Sequence, residues 1–413
     1  MHTPLADVAD GLAGLSALPG ATPAHRPPLA RLLQAIRRHM GMDVAFISEF
    51  ERGRRVFRHV DIGEARLLIR PGDGDPLEES YCVRVVDGRL PELIPDASVN
   101  AEALTLPVTR AVPVGAHMSV PIRLADGRIY GTFCCFSHAP DLTLTTRDLH
   151  VVRVFADLAA AQIQEDLNAS EARRMAAQRI DAALQSDQLH MVFQPIVDLH
   201  TSRVVGFESL ARFSGDPYRT PDLWFSEAGL VGRTVELESK AIRLALARLG
   251  ELPADVYLTV NASPELIIQG ALAEALRGQP LERIVVEVTE HQAIASYAAV
   301  AEAMAPLQRE GLRIAVDDAG AGYASFRHVL DLHPQIIKLD ISITHAIDVD
   351  RSRRALAAAL CGFARETGCG LVAEGVETQA ELDAVRTLGI GRAQGYHLGR
   401  PMNFQDAKAC TAH

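Results

Sequence analysis

Acidic and amide side chains stand at the ends of short apolar segments throughout the second half of the chain. Examples are YLTVNAS (257–263), IVVEVTE (284–290) and RIAVDDAG (313–320). In a barrel of parallel strands, the carboxyl ends of the strands converge on one face, and chemistry is carried out there. We therefore expect one site to collect the polar groups of these segments, which are Glu208, Asn261, Glu287, Asp317, Asp318, Lys338, Asp340, Glu374 and Gln394.

So many acids at one site predict a bound cation. Carboxylates buried together are too costly to stay ionised without a counter-charge. Carboxylate and amide oxygens suit a hard divalent ion such as Mg²⁺ or Mn²⁺. A solvated rim of loops and helix caps would explain one or two acids, but not a series at successive strand ends. The sequence therefore predicts a divalent metal site.

Length and composition limit the class of protein. With 413 residues, the chain is expected to form two domains. Apolar residues make up 48% and charged residues 23%, which is typical of a soluble globular protein. The net charge of −11 argues against nonspecific binding to duplex nucleic acid, because such binding needs a basic surface.

No membrane segment, signal peptide or disulfide framework is expected. The chain contains no run of 18 apolar residues, and its first 20 residues lack the basic start and apolar core of a signal peptide. The cysteines have neither CxxC nor metal-ligand spacing, which is typical of reduced thiols in a cytoplasmic protein. They are Cys82, Cys134, Cys135, Cys361, Cys369 and Cys410.

The first half of the chain predicts an α+β domain over residues 25–166, after a loosely ordered leader at 1–24. A helical pattern begins at Leu29, and a second covers 145–167. Between them lie segments with alternating apolar residues, which predict antiparallel strands at 43–50, 55–62, 117–124 and 128–136. This order of elements predicts a sheet with helices on one side.

The second helix is expected to continue as a helical linker over residues 167–184, which are rich in charge and contain neither Pro nor Gly. A continuous helix is stiff enough to transmit a rotation or shift between domains. A plain spacer is the alternative, and stiffness alone does not decide between the two.

Residues 185–413 predict a modified (β/α)₈ barrel. The first two strand segments, 189–199 and 204–213, are separated by too few residues for a parallel crossover. They must form a hairpin, which makes one strand of the barrel antiparallel. Helical stretches long enough for βα units separate the later strands, for example 237–252, 297–311 and 353–368.

The segment ESLAR (208–212) resembles the E-A/S-L-x-R signature of the EAL-domain phosphodiesterases, which hydrolyse cyclic di-GMP to linear 5′-pGpG. Further blocks of that family follow in order across residues 185–405, and a series of ordered blocks is far more specific than a single short motif. They are FQPIVDL, NAS, EVTE, DDAGAGYASF, IKLD, AEGVET and QGYHLGRP.

The resemblance implies two divalent cations per barrel, Mg²⁺ or Mn²⁺. Asp317 would bridge the two ions. The implied metal ligands are Glu208, Asn261, Glu287, Asp317, Asp318 and Glu374. The implied catalytic residues are Lys338, Glu374 and Asp318, with Lys338 beside the nucleophilic water. A structural salt bridge with Asp340 is the alternative role for Lys338.

The resemblance also implies residues that bind the substrate or support the site. Arg212 would pair with a phosphate, because a guanidinium gives bidentate contacts to its oxygens. Glu290 and Glu377 would support the loop after Asp318. The implied substrate-binding residues are Arg212, Leu210, Gln394 and Pro401.

The loop after the aspartate pair departs from the family pattern. Ala319 and Ala321 stand where the family usually has Phe and Thr. The loop is thought to couple dimerisation to metal binding in the family, so we expect weaker basal activity or altered regulation with the metal ligands intact. The resemblance implies a homodimer formed through the barrel.

Residues 79–97 and 119–137 resemble a GAF domain. Such domains bind a small molecule or serve in dimerisation, and the sequence does not identify a ligand. Cys82 could carry a tetrapyrrole or sense oxidation, and a buried structural thiol is the simpler alternative. His138 and the pair Cys134–Cys135 are interpreted as core or rim residues.

The resulting hypothesis is a cytoplasmic, GAF-regulated, metal-dependent cyclic di-GMP phosphodiesterase. One alternative is a catalytically silent receptor that binds cyclic di-GMP and relays its occupancy to a protein partner. Such receptors typically lack several ligand residues, which this chain retains. A hydrolase of another phosphodiester is the second alternative.

Overall fold

The alternating segments of the first domain form an antiparallel sheet of order β3-β2-β1-β6-β5-β4. Its strands are β1 (Val44–Glu51), β2 (Arg54–Ile62), β3 (Gly74–Pro76), β4 (Leu93–Ile94), β5 (Ala116–Arg123) and β6 (Ile129–Ser137). The computed structural model describes residues 28–63, 69–215, 217–288, 296–319 and 329–411, without the side chains of 318 and 319. The leader expected at 1–24 lies outside these ranges.

Both faces of this sheet are covered. Helices α1 (Pro28–His39) and α4 (Thr146–Gln185) pack on one face, as the sequence predicts, and bury Leu33, Ile47 and Phe133. The other face is covered by two short helices that sequence analysis missed, α2 (Tyr81–Val86) and α3 (Pro107–Ala111). Helices of six and five residues are too short to give a helical period in the sequence. The prediction of helices on one side alone was therefore incomplete.

Helix α4 is a single element of 40 residues. The chain divides into two units, Met1–Glu171 and Ala172–His413, and the division falls inside this helix. Beyond the division, Ile180 and Ala183 pack against strand residues of the second unit. The helix ends at Gln185, where the ammonium of Lys240 donates hydrogen bonds of 2.6–3.1 Å to three carbonyl oxygens, those of Ala183, Leu184 and Ser186. Its C-terminal carbonyls are thus capped by a cation.

The second unit is a closed eight-stranded barrel, in agreement with the sequence analysis. β7 is antiparallel to both neighbours, β8 and β14, and the remaining pairs are parallel. The strands are β7 (Leu189–Asp198), β8 (Val204–Phe213), β9 (Tyr257–Ala262), β10 (Ile284–Val288), β11 (Arg313–Ala319), β12 (Ile336–Leu339), β13 (Gly370–Ala373) and β14 (Arg392–Ala393).

Helices cover the outside of the barrel. They are α5 (Pro221–Leu230), α6 (Thr234–Leu246), α7 (Pro264–Ile268), α8 (Ala271–Ala275), α9 (Tyr297–Arg309), α10 (Ile341–Thr344), α11 (Arg351–Thr367), α12 (Gln379–Thr387) and α13 (Phe404–Cys410). The main hydrophobic core lies between helices and strands and includes Leu258, Val286 and Ile314. Within the described residues, no helix is long and apolar enough to span a membrane.

A separate apolar layer fills the inside of the barrel. It contains one residue from each of six strands, namely Ile196, Tyr257, Val285, Ala315, Ile336 and Val372. Gly206 on β8 leaves room for the ring of Tyr257, because a Cβ at this position would lie 2.6 Å from ring carbons. The floor of the barrel is therefore packed, and polar side chains further along the strands lie on an apolar base.

Candidate active site

The polar residues of the site follow the apolar layer at a spacing of two residues. Successive residues of a strand point to opposite sides, so residues two apart share a side. An inward-facing apolar residue is therefore followed by an inward-facing polar one. The pairs are Val285 with Glu287, Ala315 with Asp317, Ile336 with Lys338, and Val372 with Glu374. This alternation places Glu287, Asp317 and Lys338 near the carboxyl ends of parallel strands, and Glu374 follows directly after β13.

The ammonium of Lys338 lies among four carboxylates. Its Nζ atom is 2.7 Å from Glu374 Oε1, 2.8 Å from Glu287 Oε2, 3.1 Å from Asp317 Oδ1 and 3.5 Å from Glu208 Oε2. The Lys338 side chain is 2% exposed, and that of Glu287 is fully buried. Acids from three strands, together with Glu374 directly after β13, thus converge on a single point.

The alternative pairing of Lys338 with Asp340 is wrong. β12 ends at Leu339, and Asp340 turns away to cap helix α10, where its Oδ1 accepts a hydrogen bond of 2.9 Å from the backbone nitrogen of Ser342. A spacing of two residues predicts a shared side only while the strand continues.

Burial and charge perturb the ionisation of this cluster. Burial raises the pKa of Glu287 to about 8, against the opposing influence of the Lys338 ammonium. Burial also raises the pKa of Glu374 well above its usual value. For Lys338, burial acts to lower the pKa, but the surrounding carboxylates outweigh it and raise the pKa well above its usual value. One ammonium cannot neutralise four carboxylates, so the site favours further positive charge.

Gln394 joins two of the acids through its amide. Its Nε2 donates to Glu208 Oε2 at 2.6 Å and to Glu374 Oε1 at 2.7 Å. Its backbone is held in turn, since the nitrogen donates to Ala373 O and the carbonyl accepts from Val376 N. The next residue must be glycine, because a Cβ on Gly395 would lie 2.2 Å from backbone atoms of Val376. Sequence analysis assigned Gln394 to the substrate, and here its side chain contacts the carboxylates.

Asn261 and Gln194 complete the ring of polar residues. Asn261 on β9 is the register partner of Glu287 on β10, which puts it at the same level of the barrel. Gln194 on β7 is the register partner of Glu208, and its Nε2 donates to Gly399 O at 3.1 Å. Sequence analysis did not select Gln194. Its signal was a polar residue within the apolar strand VFQPIV.

The remaining predicted residues are placed as follows. Leu210 and Arg212 continue the row of Glu208 along β8 at intervals of two, toward the end of the strand. Pro401 precedes Met402, whose backbone pairs with Phe193 of β7.

Of the two glutamates expected to support the loop, the structure describes Glu377 but not Glu290. The exposed Glu377 lies before helix α12, where its backbone nitrogen donates to Glu381 Oε2 at 2.9 Å. Glu290, Ala321 and the side chains of Asp318 and Ala319 lie outside the described residues.

The donor atoms of the site fit a hard divalent ion. In the described part of the chain, no three His, Cys, Asp or Glu side chains are already arranged as a metal-binding group, and four of the acids surround Lys338. Two oxygens of this site, Glu287 Oε1 and Gln394 Oε1, are buried and have no hydrogen-bond partner among the described residues. Unsatisfied oxygens beside excess negative charge are the donors that Mg²⁺ and Mn²⁺ prefer.

Comparison with known proteins finds two family models that match successive parts of the chain. A model of the EAL domain family matches residues 177–401, and a model of the GAF domain family matches residues 28–163. The first match covers the barrel strands with their site residues. The second covers the antiparallel sheet with its helices.

Two curated relatives and one solved structure are similar to the barrel. The cyclic di-GMP phosphodiesterase PA2567 of Pseudomonas aeruginosa is 31% identical over 230 residues, which are 52% of this chain and 38% of that protein. The probable cyclic di-GMP phosphodiesterase PdeD of Escherichia coli is 26% identical over 247 residues, which are 57% of this chain and 46% of that protein. The chain thus spans less than half the length of either relative.

The solved structure is the PaMucR phosphodiesterase in its c-di-GMP complex. It is 26% identical with a TM-score of 0.52, and the match covers 56% of this chain and 99% of that one. The similarity therefore extends over the whole of the solved chain and is confined to about half of this one.

Proposed function

The chain belongs to the EAL domain family, and from that premise we propose that it hydrolyses cyclic di-GMP to linear 5′-pGpG in a reaction that requires divalent metal ions. The observation that carries the proposal is the convergence of Glu208, Glu287, Asp317 and Glu374 on one point at the carboxyl face of the barrel. Similarity to the cyclic di-GMP phosphodiesterase PA2567 and to the probable cyclic di-GMP phosphodiesterase PdeD supports the choice of substrate.

Oxygen ligands from several strands would hold the metal ions. We assign Glu208, Asn261, Glu287 and Asp317 to a first ion, and Asp317, Asp318 and Glu374 to a second. When bound, two Mg²⁺ or Mn²⁺ ions supply Lewis acidity to the phosphodiester and lower the pKa of a water. Gln394 would orient Glu208 and Glu374, to which its amide already donates.

The other residues of the chain would position water and substrate. Lys338, with its ammonium at the centre of the acids, would hold the nucleophilic water and offset negative charge. Arg212 would bind a phosphate, since it is four residues after Glu208 on β8 and so lies in the same row of the strand. Leu210 and Pro401 would offer apolar contacts to the substrate, and Glu290 and Glu377 would support the loop after Asp318.

The GAF domain at 28–163 is proposed to regulate this reaction, through a small-molecule ligand or through dimerisation. A homodimer formed through the barrel and a cytoplasmic location complete the proposal. Ala319 and Ala321 are expected to affect the basal rate or its regulation.

Incubation with cyclic di-GMP tests the proposed function. We expect the purified full chain to produce 5′-pGpG in the presence of Mg²⁺ or Mn²⁺ and to lose this activity with EDTA. Anion-exchange chromatography measures the product.

A silent receptor is the second candidate, favoured by the contact of Lys338 with all four acids. Binding of cyclic di-GMP without product would establish the receptor, and faster cleavage of another phosphodiester would identify another hydrolase.

Substitution of Gln394 by Met tests how the acids are oriented. The variant keeps the volume of the side chain but removes the two hydrogen bonds to Glu208 and Glu374. Loss of such a supporting contact is expected to lower kcat roughly 10–100-fold. Gln379→Met is the matched control, because that amide donates to Asp383 on the surface of helix α12. Equal kcat values for the two variants would remove Gln394 from the site.

A further inference from the structure

Two buried thiols of the first domain are in direct contact. Cys82 on α2 and Cys134 on β6 are 52 positions apart in sequence, and their Sγ atoms lie 3.7 Å apart. Both side chains are fully buried in the same apolar cluster. The adjacent Cys135 points to the opposite face of the sheet and belongs to the other cluster. The geometry selects one of the two neighbouring cysteines as the partner of Cys82.

A buried cation lies beside Cys82. Arg55 Nη1 donates to Cys82 Sγ at 3.4 Å, and the same guanidinium forms an ion pair with Asp75. The Arg55 side chain is 5% exposed and that of Asp75 is 32% exposed. Asp75 therefore lies nearer the surface, and Arg55 lies between it and the buried thiol of Cys82. Cysteines that serve only as core hydrophobes are not accompanied by buried charge, because burying a cation is costly.

The surroundings of the two thiols shift their pKa values in opposite directions. Burial acts to raise the pKa of Cys82, but the hydrogen bond from Cys134 and the charge of Arg55 oppose it and bring the pKa to about 5. The pKa of Cys134 is raised well above its usual value by burial and by the neighbouring Cys82. A thiolate and a thiol in contact are the reactants for formation of a disulfide.

Hydroxyl groups surround the pair on the strands. Ser119 Oγ and Thr132 Oγ1 each lie 3.1 Å from Cys134 Sγ, and Ser48 Oγ lies 3.7 Å from Cys82 Sγ. These polar contacts add to the charge of Arg55 in an otherwise apolar cluster. Together they mark this pair as a polar site rather than as packing alone.

We propose that Cys82 and Cys134 are a redox-active pair that forms a disulfide on reaction with hydrogen peroxide. The Cys82 thiolate attacks one peroxide oxygen, the O–O bond breaks, and a sulfenic acid and hydroxide are formed. Cys134 sulfur then attacks the sulfenic sulfur, an S–S bond forms, and water leaves with the proton of Cys134. The two sulfurs lose two electrons in total. The hydroxide takes up the proton that Cys82 lost on ionisation, so one peroxide is reduced to two waters.

The oxidant must be small and neutral, since both sulfurs are buried. Hydrogen peroxide meets this requirement and bulky disulfides such as oxidised glutathione do not. We therefore expect peroxide, and not oxidised glutathione, to convert the pair. Formation of the disulfide would join α2 to β6 and would leave Asp75 as the anionic partner of Arg55.

Peptide mapping of the full chain tests the proposal. The reduced protein is treated with peroxide, alkylated in denaturant and digested with trypsin without reductant. Cys134 and Cys135 lie on one tryptic peptide, between Arg128 and Arg147, so the bond is assigned with Cys135→Ser. We expect the cross-linked peptide in wild type and in C135S, and its loss in Cys134→Ser. The exposed Cys410 serves as a control for the peroxide treatment. The proposal is overturned if Cys82 and Cys134 are still alkylated when Cys410 is fully oxidised. It is also overturned if Cys82 becomes a sulfinic acid while Cys134 stays a free thiol.

The rate of the reaction tests the role of Arg55. Arg55→Met removes the cation beside Cys82, and we expect the rate of disulfide formation to fall roughly tenfold. Arg54→Met is the matched control, since Arg54 is exposed and its Nη2 donates to Gly74 O. An Arg55→Met rate equal to that of Arg54→Met would show that the cation does not activate the thiol and would refute the assignment of Cys82 as the attacking sulfur.

Discussion

Replacement of Lys338 by Met is expected to destabilise the metal-free barrel by about 3–5 kcal/mol, because removal of one partner leaves buried charge without compensation. The ammonium is within 3.5 Å of four carboxylates. The same change is expected to abolish hydrolysis of cyclic di-GMP. Urea unfolding in EDTA, followed by the fluorescence of Trp224, the single tryptophan, measures the first effect.

The response of each variant to divalent ions separates a loss of charge at the site from a general loss of stability. Mg²⁺ or Mn²⁺ is expected to restore part of the stability lost in Lys338→Met, since it would neutralise the same acids. Lys240→Met also removes a lysine, but that ammonium donates to carbonyl oxygens at the end of helix α4. Its loss of stability should not respond to divalent ions. Equal unfolding midpoints for wild type and Lys338→Met in EDTA would contradict the prediction.

Glu208→Ala is expected to reduce turnover of cyclic di-GMP by more than about a hundredfold. Loss of a residue that only supports a metal ligand costs roughly 10–100-fold, and loss of a ligand should cost more. The Glu208 carboxylate is buried, receives a hydrogen bond from Gln394 and lies 3.5 Å from Lys338. Initial rates at saturating Mn²⁺ measure the effect.

The exposed Glu265 on helix α7 offers the matching control, and Glu265→Ala should keep the wild-type rate. Binding of Mn²⁺ measured by calorimetry separates a lost ligand from a lost fold. Wild-type turnover and metal binding in Glu208→Ala would remove this residue from the site.

The barrel and its acids could be predicted because strand alternation is visible in the sequence. IVVEV on β10 contains an acid within an apolar strand, and the structure shows Glu287 two residues after Val285 on the inner side. The hairpin of β7 and β8 followed from the length of its connection. Both inferences depend on local pattern, which a single sequence contains.

Contacts between distant segments could not be predicted in this way. The sequence placed Lys338 at the same site as the acids, but it did not show that the ammonium contacts four of them, three on other strands and Glu374 directly after β13. Gln394 follows a strand of two residues, which is too short to show a period. The contact of Cys82 with Cys134 joins a short helix to a strand across the sheet. Each of these contacts depends on tertiary packing, which sequence spacing does not report.

The shortest strand of the barrel has a mechanical consequence. β14 closes the cylinder with two residues, Arg392 and Ala393, each paired to β13 on one side and to β7 on the other. The barrel is therefore closed by only two residues of β14, and Gln394 is the first residue after this strand. A change that weakens the pairing of β14 would move the Gln394 amide, and with it Glu208 and Glu374, to which the amide donates. Changes at β14 that spare Arg392 can thus alter the geometry of the site without replacing a charged group.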